Sequence, residues 1–265
     1  MPEKLVIIPT YNESENIAAI IQAIFSLRQG YHILVIDDAS PDGTAGIVKE
    51  LLEKYPQQLF LQERVGKSGL GTAYILGFRW ALFNGYQYVF EMDADFSHNP
   101  ADLERLYRAC AAEGADVAIG SRYVRGGGTL HWPWSRILLS RGGSLYARMI
   151  TWLPVKDTTA GFVCYRREVL ETLNLDAITF LGYAFQIEMK FASWKLGFRI
   201  VEVPIIFEDR KLGSSKMHKG IIKEGVLGLL RLRWSSLFKD YRNKMKNTSM
   251  VFPSLSRKES LIKTK

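Results

Sequence analysis

The segment Tyr86-Gln-Tyr-Val-Phe-Glu-Met-Asp-Ala-Asp95 runs an apolar strand into two carboxylates one residue apart. Carboxylates at the C-terminal end of a buried strand stand where open α/β sheets hold their ligands. Asp93 and Asp95 repel each other at this spacing unless a cation lies between them. Hard oxygen ligands suit Mg²⁺ or Mn²⁺, ions that usually also hold a substrate phosphate. The pair alone does not separate a metal–diphosphate site from a polar loop. The neighbouring strand ends decide.

Lys4–Pro9 reads as a buried first strand. Asn12–Asn16 opens a helix, with Ser14 as its N-cap and Ile17, Ile20, Ile21 and Ile24 on one face. His32–Asp37, Leu59–Gln62, Tyr88–Asp93 and Asp116–Ser121 read as further strands. Thr44–Tyr55, Gly69–Asn84 and Pro100–Ala112 read as the helices between them. This alternation argues a mostly parallel α/β sheet flanked by helices. Polar clusters follow the strands: Pro9–Glu13, Asp37–Gly43, Arg64–Gly71 and Asp93–Asp95. Parallel strands would gather all four on one edge. Singly, each has a bland reading: a helix cap at Asn12 and Glu13, an Asx turn at Asp37–Gly43, a loop and helix start at Lys67–Gly71. Leu61 stands where the first glycine of a Walker motif should be, and Pro9–Glu13 replaces the glycines of a dinucleotide-binding turn.

After Ser121 the rhythm breaks into a glycine- and aromatic-rich loop, Arg122–Trp134. Residues 117–156 hold no Asp or Glu, yet carry Arg122, Arg125, Arg136, Arg141, Arg148 and Lys156. Ile137–Leu153 reads as an amphipathic helix, Phe162–Tyr165 as a strand and Tyr183–Leu196 as a helix. Phe198–Phe207 is extended with Pro204 interrupting it, and Gly220–Phe238 is a last helix after a basic loop. The net charge of +8 is uneven: residues 210–265 hold fifteen Lys/Arg against three Asp/Glu. A mildly acidic body with a basic end suggests an anionic partner. Nucleic acid is disfavoured, because it leaves Asp37, Asp38, Asp93 and Asp95 facing the wrong charge. Residues 1–242 read as one catalytic domain and 243–265 as a basic flexible tail. Cys110 and Cys164 form no ligand pattern and read as buried reduced thiols. No signal peptide and no run of about 20 apolar residues is evident, and a cytoplasmic location is expected.

Five segments together resemble the family-2 inverting glycosyltransferases: Pro9–Glu13, Ile36–Thr44, Lys67–Tyr74, Met92–His98 and Gly120–Val124. More narrowly they resemble dolichol- or polyprenol-phosphate mannose synthases, with Asp209–Met217 matching that subfamily's late motif. The resemblance covers about residues 4–238 in the same order. It implies a GT-A fold, GDP-mannose as donor, and a polyprenyl or dolichyl monophosphate as acceptor. It also implies Pro9, Tyr11, Glu13, Asp38 and Lys67 at the donor nucleotide, with Asp93 and Asp95 on Mg²⁺ or Mn²⁺. Arg210 and Lys216 reach the diphosphate, and Arg122, Arg136 and Ser140 receive the lipid phosphate. Of these, Asp95, Arg122, Arg210 and Lys216 carry catalysis. Subfamily members often carry Gln where Ser97 stands; this third candidate ligand reaches a metal through water or not at all. The trailing membrane helices of some members are absent, so peripheral association with the cytoplasmic membrane face is expected, with a separate anchoring subunit left open.

The residue types fit that chemistry directly. Negative charge builds on the departing β-phosphate, where a cation, Arg210 and Lys216 would offset it. The acceptor phosphate is already anionic and needs orientation more than a base. Guanidinium forks suit it. Glu188 is the alternative base, with a structural carboxylate as the plainer reading. Trp132, Trp134, Leu138, Leu139 and Trp152 would meet the acyl boundary of a membrane, and Gly126–Gly128 and Gly213–Ser215 would act as hinges. Another donor, such as UDP-glucose, remains the rival reading.

Overall fold

The computed structural model describes residues 3–182, 184–209 and 219–243, with the backbone only for 219–226. The first half alternates strand and helix: β1 (Lys4–Thr10), α1 (Ile17–Ser26), β2 (Tyr31–Asp37), α2 (Thr44–Lys54), β3 (Leu59–Glu63), α3 (Leu70–Phe83), β4 (Tyr88–Glu91), α4 (Asp102–Ala111) and β5 (Val117–Ser121). The second half is less regular: β6 (Gly128–Leu130), α5 (Trp134–Thr151), β7 (Val163–Arg166), α6 (Arg167–Thr172), a 3₁₀ turn at Leu175–Ala177, α7 (Ala184–Lys195), β8 (Ile200–Pro204), β9 (Ile206–Glu208) and α8 (Lys219–Ser235).

Seven strands form one sheet in the order β3-β2-β1-β4-β7-β5-β8. Neighbours pair in parallel except at β7, which is antiparallel to both β4 and β5. At the centre, Leu5, Val6, Ile7 and Ile8 of β1 are all fully buried. A continuous apolar run is what a strand covered on both faces requires. Alternation then divides it. Leu5 and Ile7 pack with Ala73, Tyr74 and Phe78 of α3 and Phe185 of α7. Val6 and Ile8 pack with the α1 isoleucines, Val48 of α2 and Leu103 of α4. Each such side chain contributes about 1.5–3 kcal/mol when buried. A parallel β6–β9 pair stands beside the main sheet.

Three expectations are corrected. Helix α1 begins at Ile17, and Ser14 is not its cap. The backbone N–H groups of Asn12, Glu13 and Ser14 donate instead to Ser40 Oγ, Thr44 Oγ1 and Asp42 Oδ2 at 2.9–3.0 Å. The β2–α2 turn therefore satisfies donors that a helix would otherwise have to bond, and the helix starts later. The Gly126–Gly128 stretch is a packed corner leading into β6, not an open hinge. A Cβ at Gly127 would lie 2.4 Å from the Ser121 carbonyl oxygen, so only glycine fits. Trp132 turns inward rather than towards a membrane: its ring covers the Arg136 guanidinium at 4.0 Å and meets Phe207 edge-on at 5.1 Å. Cys110 and Cys164 are buried free cysteines, and the Cys110 thiol donates to the Cys164 carbonyl at 3.7 Å.

Candidate functional site

The C-terminal ends of β1, β2, β3 and β4 lie along one edge of the sheet, so the four polar clusters do share it. Strain collects there. Asn12 after β1, Ala39 after β2 and Phe96 between Asp95 and Ser97 all have φ between 54° and 59°. Such left-handed positions cost about 1–3 kcal/mol for residues other than Gly, Asn or Asp, and they cluster at functional sites.

The β2 end is tightly knotted. Asp37 is buried and accepts from Thr10 Oγ1 (2.8 Å), Ser40 N (2.9 Å) and Ser40 Oγ (2.6 Å). Burial alone would raise the Asp42 pKa, but hydrogen bonds from Thr44 and Ser14 bring it down to about 2. Asp38 is paired with Arg64, whose Nε lies 2.5 Å from Oδ1. The same guanidinium reaches Thr72 Oγ1 at 2.6 Å and so ties the β3 loop to the start of α3. Lys67 stands over the Tyr11 ring at 4.6 Å. Pro9, Tyr11 and Glu13 are half-buried beside this knot. Gly71 permits the α3 start to approach Phe180 and Phe185: a Cβ there would lie 2.6 Å from the Phe180 carbonyl oxygen.

Beyond β4, Asp93 is half-buried and Asp95 is buried. Asp95 Oδ1 accepts the Ser97 N–H at 3.1 Å, which closes the turn. The Ser97 hydroxyl is buried and has no hydrogen-bond partner. His98, also buried, stacks on Phe162 at 4.9 Å and meets Phe207 edge-on. Burial pushes its pKa down to about 4, with Asp95 pulling upwards and Arg122 downwards, so the imidazole is neutral at pH 7.

Arg122 follows β5 and is itself buried. Its Nε and Nη2 fork onto Asp157 at 2.7 and 2.6 Å, and Nη2 also donates to Thr159 Oγ1 at 3.0 Å. Asp157 is fixed in turn by Glu202, which accepts its N–H at 2.9 Å and the Ser121 hydroxyl at 2.7 Å. Arg136, in the first turn of α5, pairs with Asp209 at 2.7 Å. The Ser140 Oγ accepts the Tyr123 hydroxyl at 2.6 Å. Strand β9 joins the two sides: Glu208 N–H donates to the Ser97 carbonyl at 3.3 Å, and the next residue is the Asp209 that holds Arg136. Arg210 and Lys216 lie outside the described residues.

A model of glycosyl transferase family 2 matches residues 5–173. The chain belongs to that family. It is similar to the polyprenol monophosphomannose synthase of Mycolicibacterium smegmatis, 48% identical over 84% of this chain and 83% of that one. It is similar also to the undecaprenyl-phosphate mannosyltransferase of Micrococcus luteus, 46% identical over 88% of this chain and 96% of that one. Among solved structures, glucosyl-3-phosphoglycerate synthase from Mycobacterium tuberculosis, in complex with Mn²⁺, UDP and glucosyl-3-phosphoglycerate, superposes with a TM-score of 0.63. It is 18% identical and covers 88% of this chain and 80% of the other. The likeness shows a shared GT-A-type fold.

In this glycosyltransferase Glu188 is a structural carboxylate. Buried on α7, it accepts the backbone N–H groups of Thr179 (2.7 Å) and Phe180 (2.9 Å) and the Lys239 ammonium (2.8 Å). Sequence reasoning placed Arg64 in a strand-end cluster without a role and missed Asp157 and Glu202. Asp157 follows the acid-free stretch 117–156 directly, so a compensating acid there was the available signal. Glu202 carried none, because its partners come from other elements.

Proposed function

We propose that this glycosyltransferase transfers mannose from GDP-mannose to a polyprenyl monophosphate, with inversion, at the cytoplasmic face of a membrane. The observation that carries the reading is the β9 joint: Glu208, the last residue of β9, bonds the carboxylate turn, and Asp209, the next residue, holds the Arg136 guanidinium. A donor diphosphate and an acceptor phosphate need such neighbours. The names of the two relatives supply the mannosyl and polyprenyl parts.

The donor set fits Mg²⁺ or Mn²⁺. Asp93, Asp95 and the partnerless buried hydroxyl of Ser97 are all hard oxygen ligands. Among the described residues no group of three His, Cys, Asp or Glu that could hold an ion forms. Asp93, Asp95 and Ser97 would hold such an ion, which would supply positive charge opposite the departing diphosphate. Pro9, Tyr11, Glu13, Asp38 and Lys67 bind the nucleoside side, with Arg64 holding the Asp38 carboxylate. Arg210 and Lys216 reach the diphosphate. An acceptor phosphate oxygen attacks the sugar C1 as the C1–O bond to the nucleotide breaks. Arg136, Ser140 and Arg122 orient that oxygen, and no base is required. A glutamate consumed like Glu188 is consistent with this.

Helix α5 supports the membrane side. It buries only Ser144, Ala147 and Thr151, while Trp134, Leu138, Leu139, Leu145 and Met149 are exposed. A water-facing helix would have the opposite distribution. Trp152, Trp234, Leu237 and Phe238 extend the exposed apolar surface, with Arg233 over the Trp152 ring at 4.3 Å. A cavity of about 640 Å³ opens between the C-terminal parts of α5 and α8, lined in part by Met149, Trp152, Leu230 and Trp234. Apolar faces edged with arginine lie in the membrane interface. No described helix is long and apolar enough to cross it.

The deciding assay is radiolabel transfer from GDP-mannose or UDP-glucose to undecaprenyl phosphate, with and without Mn²⁺. Mannose transfer that needs the metal and is competed by GDP is expected; transfer from UDP-glucose alone overturns the donor. Arg136→Ala should raise the acceptor KM about tenfold or more, the worth of one charge-assisted hydrogen bond, with the GDP-mannose KM within about twofold. Equal losses on both substrates would remove Arg136 from the acceptor site. Wild type should sediment with phosphatidylglycerol vesicles, and a W134A/L138S/W152A protein should stay in the supernatant. Retained sedimentation would take α5 out of the interface.

A further inference from the structure

Beneath the carboxylate turn lies a group of buried polar side chains that the chemistry above does not use. Glu91 ends β4 two residues before Asp93 and is fully buried. It shares the Val89 face of the strand, opposite Val163 and beside Tyr165 of β7, and so points into the layer of α3 and α7. Gln186 and Lys190, one helical turn apart on α7, reach the same place. Tyr74 from α3 brings a second hydroxyl-bearing ring, close enough to feel Asp93, Glu91, Tyr165 and Asp95. The Glu91 carboxylate, the Tyr74 and Tyr165 hydroxyls and the Gln186 amide nitrogen complete no hydrogen bond. Gln186 lies near enough to Glu91 to lower its pKa, without well-formed bonding geometry.

Lys190 is the cation in this group. Its Nζ donates to the carbonyls of Ala160 (2.6 Å) and Gln186 (3.1 Å) and to Gln186 Oε1 (3.3 Å). Ala160 closes the short strap whose first residue, Asp157, holds the Arg122 fork. Lys190 therefore touches the acceptor-side strap by a hydrogen bond and faces the metal-side strand end by charge. Burial pushes the Glu91 pKa up against the pull of Lys190, and pushes the Lys190 pKa down against the pulls of Glu91 and Asp157. Apolar side chains of the same volume would fill this core as well or better, because taking an ionisable group out of water costs free energy that an apolar one does not.

We propose that Lys190 is a positioning residue that holds the Asp93–Asp95 turn and the Arg122–Asp157 strap in register, through Glu91 on one side and the Ala160 carbonyl on the other. This rests on the functional reading above. Its test is the pair Lys190→Met with Glu91→Gln, which removes both charges at nearly constant volume, beside Glu91→Gln alone. Three quantities are read: the thermal midpoint, Mn²⁺ binding in the presence of GDP by electron paramagnetic resonance, and kcat for mannosyl transfer to undecaprenyl phosphate. The double variant should melt close to wild type, yet lose about 10–100-fold in Mn²⁺ affinity or kcat, the range for groups that orient metal ligands. Glu91→Gln should weaken Mn²⁺ binding and leave the acceptor KM unchanged. A double variant with wild-type Mn²⁺ binding and turnover overturns the proposal. If the double variant does not fold, wild-type Mn²⁺ affinity in Glu91→Gln overturns it instead. A wild-type protein that binds Mn²⁺ and GDP but transfers nothing to the lipid sinks the functional reading and leaves the Mn²⁺ measurements to decide Lys190.

Discussion

An Asp95→Ala protein should fold, melt near the wild-type temperature and transfer no measurable mannose. Asp95 is buried at the turn after β4, and its visible structural duty is to accept the Ser97 N–H at 3.1 Å. Losing that bond costs about 1 kcal/mol, or about 2–4 °C in a chain of this size. Its proposed chemical duty is larger. Removing one group that stabilises transition-state charge typically lowers kcat by about 10²–10³-fold, and a metal ligand offsets more charge than one hydrogen bond does. Asp95→Asn separates the two duties, because the amide oxygen can still accept the Ser97 N–H while the charge is gone. Both variants should lose Mn²⁺ binding in the presence of GDP. Near-normal turnover by a well-folded Asp95→Ala protein would end the metal assignment.

The strand–helix rhythm of the first half was legible because parallel strands buried on both faces write uninterrupted apolar runs, as Leu5–Ile8 do. The same runs do not encode direction. Val163–Arg166 reads as a strand, but nothing in it says that it enters the sheet antiparallel between β4 and β5. The late start of α1 was hidden for a related reason: the groups that satisfy Asn12, Glu13 and Ser14 come from the next strand's turn. Strand β6, three residues long beside glycines, carries no periodicity of its own and exists through its pairing with β9.

The candidate site divides the same way. Carboxylates and arginines at strand ends could be read as chemistry, since their types and spacing are local. Their partners could not. Asp38 with Arg64, Arg136 with Asp209 and Arg122 with Asp157 are long-range pairs that only the folded chain makes. Each pair also changes what its member can do. A guanidinium already neutralised by a carboxylate receives a phosphate by exchange or by sharing, so binding an anion at Arg136 should loosen its hold on Asp209 and hence on the end of β9. The face of α5 shows another limit of sequence reading. Its apolar periodicity was plain, but an amphipathic pattern does not say whether the apolar side meets a core or a membrane, and here Ser144, Ala147 and Thr151 take the inside.

Replacing Arg122 with Ala should produce the largest loss of stability among the site arginines. The guanidinium and Asp157 are both buried, and their forked contact closes at 2.6 and 2.7 Å. Burial pulls the Arg122 pKa down, but the hydrogen bonds it donates to buried Asp157 raise it on balance. Breaking such a pair from one side strands a carboxylate away from water and costs about 3–5 kcal/mol, a fall of about 10 °C or more in the melting temperature. Arg136→Ala, whose partners are both about a third exposed, should cost far less, within the small range of surface pairs. The paired substitution Arg122→Met with Asp157→Leu tests where the loss comes from. It removes both charges, so the melting temperature should recover most of its fall. Activity should not recover with it, because a restored core still lacks the cation proposed to meet the acceptor. Recovery of transfer along with stability would make Arg122 a scaffold residue and leave the lipid phosphate to Arg136 and Ser140.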